Sequence, residues 1–152
     1  MTEAGGPGGG FVSVTRLRLR SPRFLPVFAL LTWRSVRQAA RAGGFRGGYL
    51  ATEGGLGFWT ITVWFGEDAM ARYRAAASHG RAMPQLRDWC DEAAVTHWDD
   101  DGDAPPDLET VRARLAEDGR LSKVRHPSAA HAAGRPEGTR AALRRGPPIR
   151  PR

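Results

Sequence analysis

Phe58-Trp59-Thr60-Ile61-Thr62-Val63-Trp64-Phe65 is the stretch on which the reading of this chain turns. Aromatic and β-branched side chains fill it, and these fit a pleated strand. Alternation puts Trp59, Ile61, Val63 and Phe65 on one face and Phe58, Thr60, Thr62 and Trp64 on the other. Both faces carry large apolar groups, so the strand has to be covered twice. This chain's own helices are expected on the Trp59 face. A second subunit is expected on the Trp64 face.

Upstream, Glu53-Gly54-Gly55-Leu56-Gly57 reads as a hairpin turn. The segment 45–52 before it reads as a strand, with a bulge or a close backbone approach at Gly47-Gly48. Downstream, Glu67-Asp68 open a helix, where acids complement the positive end of its dipole. Gly80 and Pro84 break that helix. A helical turn over 84–89 and a strand over 91–98 follow.

Towards the N-terminus, residues 11–18 alternate as a strand. Ser21-Pro22 then signals a helix start, and Pro26 offers a second start a few residues later. The helix stops at Gly43-Gly44. At 100° per residue, Leu25, Phe28, Ala29, Thr32, Trp33, Val36, Ala39 and Ala40 share a face, while Arg34, Arg37, Gln38 and Arg41 lie opposite. The order βαββαβ predicts an α+β, ferredoxin-like fold: a four-stranded antiparallel sheet with both helices on one face.

The expected organisation is a flexible lead over 1–10, a ferredoxin-like domain over 11–98, an acidic loop and short helix over 99–128, and a disordered Arg/Pro-rich tail over 129–152. The net charge of +7 is unevenly spread: +6 over 11–98, −6 over 99–119 and +8 over 120–152, less one acid in 1–10. Much of the surplus is thus in the tail, and nucleic acid is not the expected partner. The opening residues lack a basic and an apolar signal region, and no apolar run reaches the ~20 residues that span a bilayer. The expected location is the cytoplasm. One cysteine, Cys90, leaves no internal disulfide, and its acidic neighbours favour an inert thiol.

No HExxH, GxSxG, Walker-type or dinucleotide motif is present. Of the four histidines, His131 and His126 fall in or near the tail, and His97 ends a strand beside Trp98. His79 sits at a helix break behind the most apolar strand. It either caps the helix end or serves as a metal or haem ligand or a base. Trp64 stands out among five tryptophans, because its face mixes aromatic rings with threonines. Such a surface suits an apolar ligand with one polar anchor, or a wet dimer core.

Residues 58–64, Asp68-Ala69-Met70-Ala71-Arg72-Tyr73, His79-Gly80-Arg81-Ala82-Met83 and Trp89 together resemble the dimeric α/β-barrel superfamily. The nearest likeness is to the spheroidene-monooxygenase-like uncharacterised domain group, and a more distant one is to the antibiotic-biosynthesis monooxygenases. The resemblance implies a homodimer of face-to-face sheets, with a pocket between helices and sheet in each protomer. It implies a monooxygenase-like oxidoreductase acting on an apolar or aromatic small molecule, with His79 as catalytic residue and candidate haem ligand. Other members of the superfamily use no cofactor. Trp33, Phe58, Trp59 and Trp64 are the expected pocket walls, and Arg34 or Arg81 the expected anchor for a carboxylate. A non-catalytic ligand-binding or dimerisation module of the same fold is the alternative.

Overall fold

A computed structural model of the chain describes residues 10–76, 84–100, 102, 104–137 and 142–152. Its elements are β1 (Gly10–Leu19), a 3-10 turn (Pro22–Phe24), α1 (Leu25–Arg41), β2 (Phe45–Glu53), β3 (Gly57–Trp64) and α2 (Glu67–Ala75). A helical stretch over 84–89, α3, follows. Then come β4 (Cys90–Asp100), α4 (Leu108–Asp118), β5 (Arg120–Leu121), α5 (Ala129–Ala132) and β6 (Leu143–Ile149).

Local chemistry accounts for the ends of these elements. The Ser21 side chain accepts from the Arg23 amide and caps the 3-10 turn; α1 begins behind it, with a proline in its first turn. Both helix-start signals in the sequence are therefore used in succession. At Gly48 a Cβ would collide with the Ile61 carbonyl oxygen, so only glycine lets β2 approach β3 there. The pairing slips between Phe45 and Gly47, where the bulge was expected.

The sheet is antiparallel in the order β5-β4-β1-β3-β2-β6. Its four inner strands are the ferredoxin-like set, and α1 and α2 lie on one face as expected. Six strands replace the expected four because the segment after residue 119 supplies both edges.

Three expectations are corrected. First, the faces are exchanged. Trp64 lies under the helices, clustered with Phe11, Phe45, Ala39, Ala40, Ala69 and Met70. The Trp59 face clusters instead with Val12, Val14, Tyr49, Ile61, Val63 and Ala94. Alternation along a strand separates two faces but does not say which one the crossover helices take.

Second, this chain covers its own second face. Val111 and Leu115 of α4 are fully buried against the Trp59 cluster. Burying two such side chains stabilises the folded chain by roughly 1.5–3 kcal/mol each. The entry to α4 is tied down where Tyr49 Oη donates to the Pro106 carbonyl at 2.6 Å and Asp107 accepts from the Thr110 amide at 2.8 Å. A partner's sheet is not needed to close this face.

Third, the tail is not disordered in its described parts. β6 pairs with β2, Ile149 is buried in the Trp64 cluster, and the Arg152 amide donates to the Ala40 carbonyl at 2.8 Å. An edge strand uses one side of its backbone for pairing, so Pro147 and Pro148 are tolerated. Arg145 lies 4.0 Å over the Tyr49 ring. The ordered body thus extends well beyond residue 98.

Candidate functional site

The helix-side face of β1 and β3 is uneven. At one end Phe11 opposes Trp64 within the α1–α2 cluster. At the other Leu17 opposes Phe58, and Phe58 meets the Phe28 ring of α1 at 4.9 Å beside Leu19 and Cys90. Between them Ser13 opposes Thr62 and Thr15 opposes Thr60. Ser13, Thr15 and Thr60 are only partly buried, although their strands are the two innermost of the sheet. The result is a hydroxyl-floored band with an apolar cluster at each end. Hydroxyls there can donate to or accept from one polar group of a ligand whose body meets the rings.

The expected site residues do not converge. Phe58 is at the band. Trp64 is fully buried; its indole N–H donates to Thr62 Oγ1 at 2.9 Å, and its ring packs on Phe45 and Tyr73, each at 5.1 Å. It is core and not an open wall. Trp59 is on the opposite face, buried, with its indole N–H donating to Glu53 at 2.7 Å. Trp33 and Arg34 lie outside the helix layer. Trp33 is 54% exposed under the Arg37 guanidinium and not on the buried face of α1. It falls at the margin of that face, which the smaller Phe28, Ala39 and Ala40 fill. His79 and Arg81 lie outside the described residues.

His97 is exposed on β4 across from Ser13, with its ring 5.1 Å from Phe11 and its Nε2 3.5 Å from the Arg120 guanidinium. Cys90 is buried, and burial together with Asp91 pushes its thiol up to about 12, which keeps it protonated and inert as expected. Burial likewise pushes the Tyr73 phenol up to about 12.

Sequence reasoning missed a buried charge network on the α4 face. Arg16 is 1% exposed, with Nε 2.7 Å from Glu53 and Nη2 2.7 Å from Glu92. Arg18 and Ser128 also bond Glu92, at 3.0 and 2.7 Å. Burial alone would raise the Glu92 carboxyl, but the Ser128 hydroxyl and Arg16 outweigh it and hold it below the usual range. Arg16 shows the same contest: desolvation opposes its charge, and the two glutamates reverse that. An Arg within an alternating strand was the available signal, since its face partners are all apolar or paired.

Among the described residues, no group of three or more His, Cys, Asp or Glu could hold a metal ion, and no helix is long and apolar enough to cross a membrane.

No protein-family model matches this sequence. No curated protein matches it. Solved structures do. Rv0793 from Mycobacterium tuberculosis matches with a TM-score of 0.54 at 17% identity, over 64% of this chain and 96% of its own. A putative antibiotic biosynthesis monooxygenase from Nitrosomonas europaea matches with a TM-score of 0.53 at 13% identity, over 59% of this chain and 88% of its own. A conserved protein from Methanosarcina mazei Go1 matches with a TM-score of 0.53 at 13% identity, over 59% of this chain and 90% of its own. The likeness is one of fold: these proteins share the α+β, ferredoxin-like arrangement of antiparallel sheet and helices.

Proposed function

We propose that this chain is a monooxygenase-like protein that binds an apolar or aromatic small molecule against the helix-side face of its sheet. The observation that carries this reading is the partly open Ser13–Thr15–Thr60 band on the two innermost strands. Interior strands are normally sealed, and hydroxyls left open between apolar clusters give a flat ligand one polar anchor. Phe58 and Phe28 would bear on its ring. His79 is the proposed catalytic base, and Arg81 a proposed anchor for an acidic substituent.

The haem ligand that the resemblance names, His79, lies outside the described residues. Of the described histidines, His97 is exposed and offers no buried axial ligand at the band. A haem site would rest on His79 alone, and no step of this reading passes through one. The cytoplasm is the proposed place of work. A homodimer belongs to this reading in one of two forms. It either leaves α4 on the sheet and uses another surface, or it exchanges α4 between two copies.

The test is binding of a panel of small aromatic phenols followed by amide chemical shifts, with oxygen uptake measured alongside. Thr15→Val with Thr60→Val should weaken binding about thirtyfold, as expected when two hydrogen-bond anchors of about 1 kcal/mol each are lost. His79→Ala should stop oxygen uptake while binding persists. Shifts confined to residues away from β1 and β3 would refute the site. Binding without uptake in the parent protein would favour the non-catalytic ligand-binding module. A Soret band that disappears in His79→Ala would restore the haem reading.

A further inference from the structure

The polar side of α1 and the neighbouring side of α2 enclose an open groove of about 590 Å³. Arg34, Arg37 and Arg41 enter it from α1 at helical i, i+3, i+7 spacing, and Arg72 enters from α2. Among the described residues no acidic residue lines the groove, and none of these four arginines has an ion pair. Arg16, Arg18, Arg20 and Arg114 each face a carboxylate, whereas the four in the groove converge there without one. Arg41 and Arg72 lie in the last turns of their helices, where the dipole favours a cation; Arg37 has only the Trp33 ring, and Arg34 has neither.

Two further features distinguish this groove from a merely Arg-rich surface. The Trp33 indole, a large apolar ring left more than half exposed, stands in its wall. Gln38 also lines it, and the Gln38 Oε1 is buried without a hydrogen-bond partner. Four guanidiniums without a carboxylate, Arg37 among them over the Trp33 ring at 4.9 Å, call for an anion with several oxygens. The exposed indole calls for a flat ring, and the orphan amide oxygen calls for a donor. One ligand class supplies all three.

We propose that the α1–α2 groove binds an organic phosphate carrying a flat, N–H-bearing ring, of the nucleoside diphosphate class. This site is on the outer side of α1 and does not depend on the ligand proposed at the sheet. The guanidiniums of Arg34, Arg37, Arg41 and Arg72 take the phosphates, and the ring meets the Trp33 indole where Arg37 does not cover it.

Calorimetric titration of the full chain with ADP and with inorganic pyrophosphate tests this. ADP should bind saturably and more tightly than pyrophosphate. Arg34→Gln with Arg37→Gln should weaken both probes at least about tenfold, as loss of charge-assisted hydrogen bonds implies. Trp33→Ala should weaken ADP about tenfold and leave pyrophosphate unchanged. These side chains are outside the core, so thermal melting should be unaltered in each variant. No saturable ADP binding would overturn the proposal. So would pyrophosphate binding as tightly as ADP. A third overturning result is equal weakening by Arg144→Gln with Arg150→Gln, two exposed arginines at the β6 edge, because the binding would then reflect overall positive charge.

Discussion

Arg16 is the residue on which the interior charge balance rests. Two glutamates converge on it with side chains 6% and 2% exposed, so removing the cation leaves buried carboxylates unanswered. Arg16→Ala is expected to cost on the order of 3–5 kcal/mol in urea unfolding, well above the cost of an exposed arginine. The pH dependence has a definite sign. Glu92 is depressed in the folded state. Its contribution is therefore present above the ordinary glutamate range and is lost as the pH falls through the lower folded value. Asp91 is raised, chiefly by burial, so its protonation favours the folded state and partly offsets that loss. Stability measured from neutral to acid pH should fall more gently in Glu92→Gln than in the parent. Trp64 is also a residue-scale case. Its burial against Phe45 and Tyr73 makes Trp64→Ala a core truncation, expected to cost about 3–5 kcal/mol.

At the scale of elements, α4 and β6 alter the ferredoxin-like plan. α4 occupies the Trp59 face, which the sequence reading gave to the crossover helices, and those helices take the Trp64 face, which it gave to a second subunit. Leu115→Ala should cost about 2–5 kcal/mol in thermal or urea melting, because Leu115 is fully buried between α4 and the Trp59 cluster. A change near zero would mean that α4 is loosely held. β6 closes the β2 edge and buries Ile149. Removing residues 143–152 should therefore lower the melting temperature by several degrees, since loss of ~1–2 kcal/mol moves a domain of this size by about that much. Unchanged melting would return these residues to the dispensable tail expected from their Pro and Arg content.

For the whole molecule, assembly is the open consequence of α4. A bare apolar sheet face would demand a second copy. With Val111 and Leu115 in place, that demand is gone. Light scattering at micromolar concentration should give the mass of one chain if α4 stays on its own sheet. A two-chain mass that reverts to one chain in Val111→Asp would identify α4 exchange. A two-chain mass unaffected by that substitution would place the contact elsewhere.

The alternation of residues 58–65, the hairpin glycines and the helix starts at Ser21 and Glu67 are local signals, and from them the sequence by itself determined βαββαβ order and strand identity. Gly48 belongs with them, since its close approach to Ile61 was legible as a glycine inside a strand pattern. The Thr-bearing face of β3 was legible too, and Thr60 does mark the open band. Tertiary structure decided which face the helices took, that α4 covered the other, and that a Pro- and Arg-rich segment became an edge strand. It also separated Trp33 and Arg34 from Phe58, and joined Arg16 to residues 37 and 76 positions away. Each of these depends on contacts between segments far apart in the chain. Periodicity reports a side chain's orientation relative to its own backbone, not which distant element will cover it.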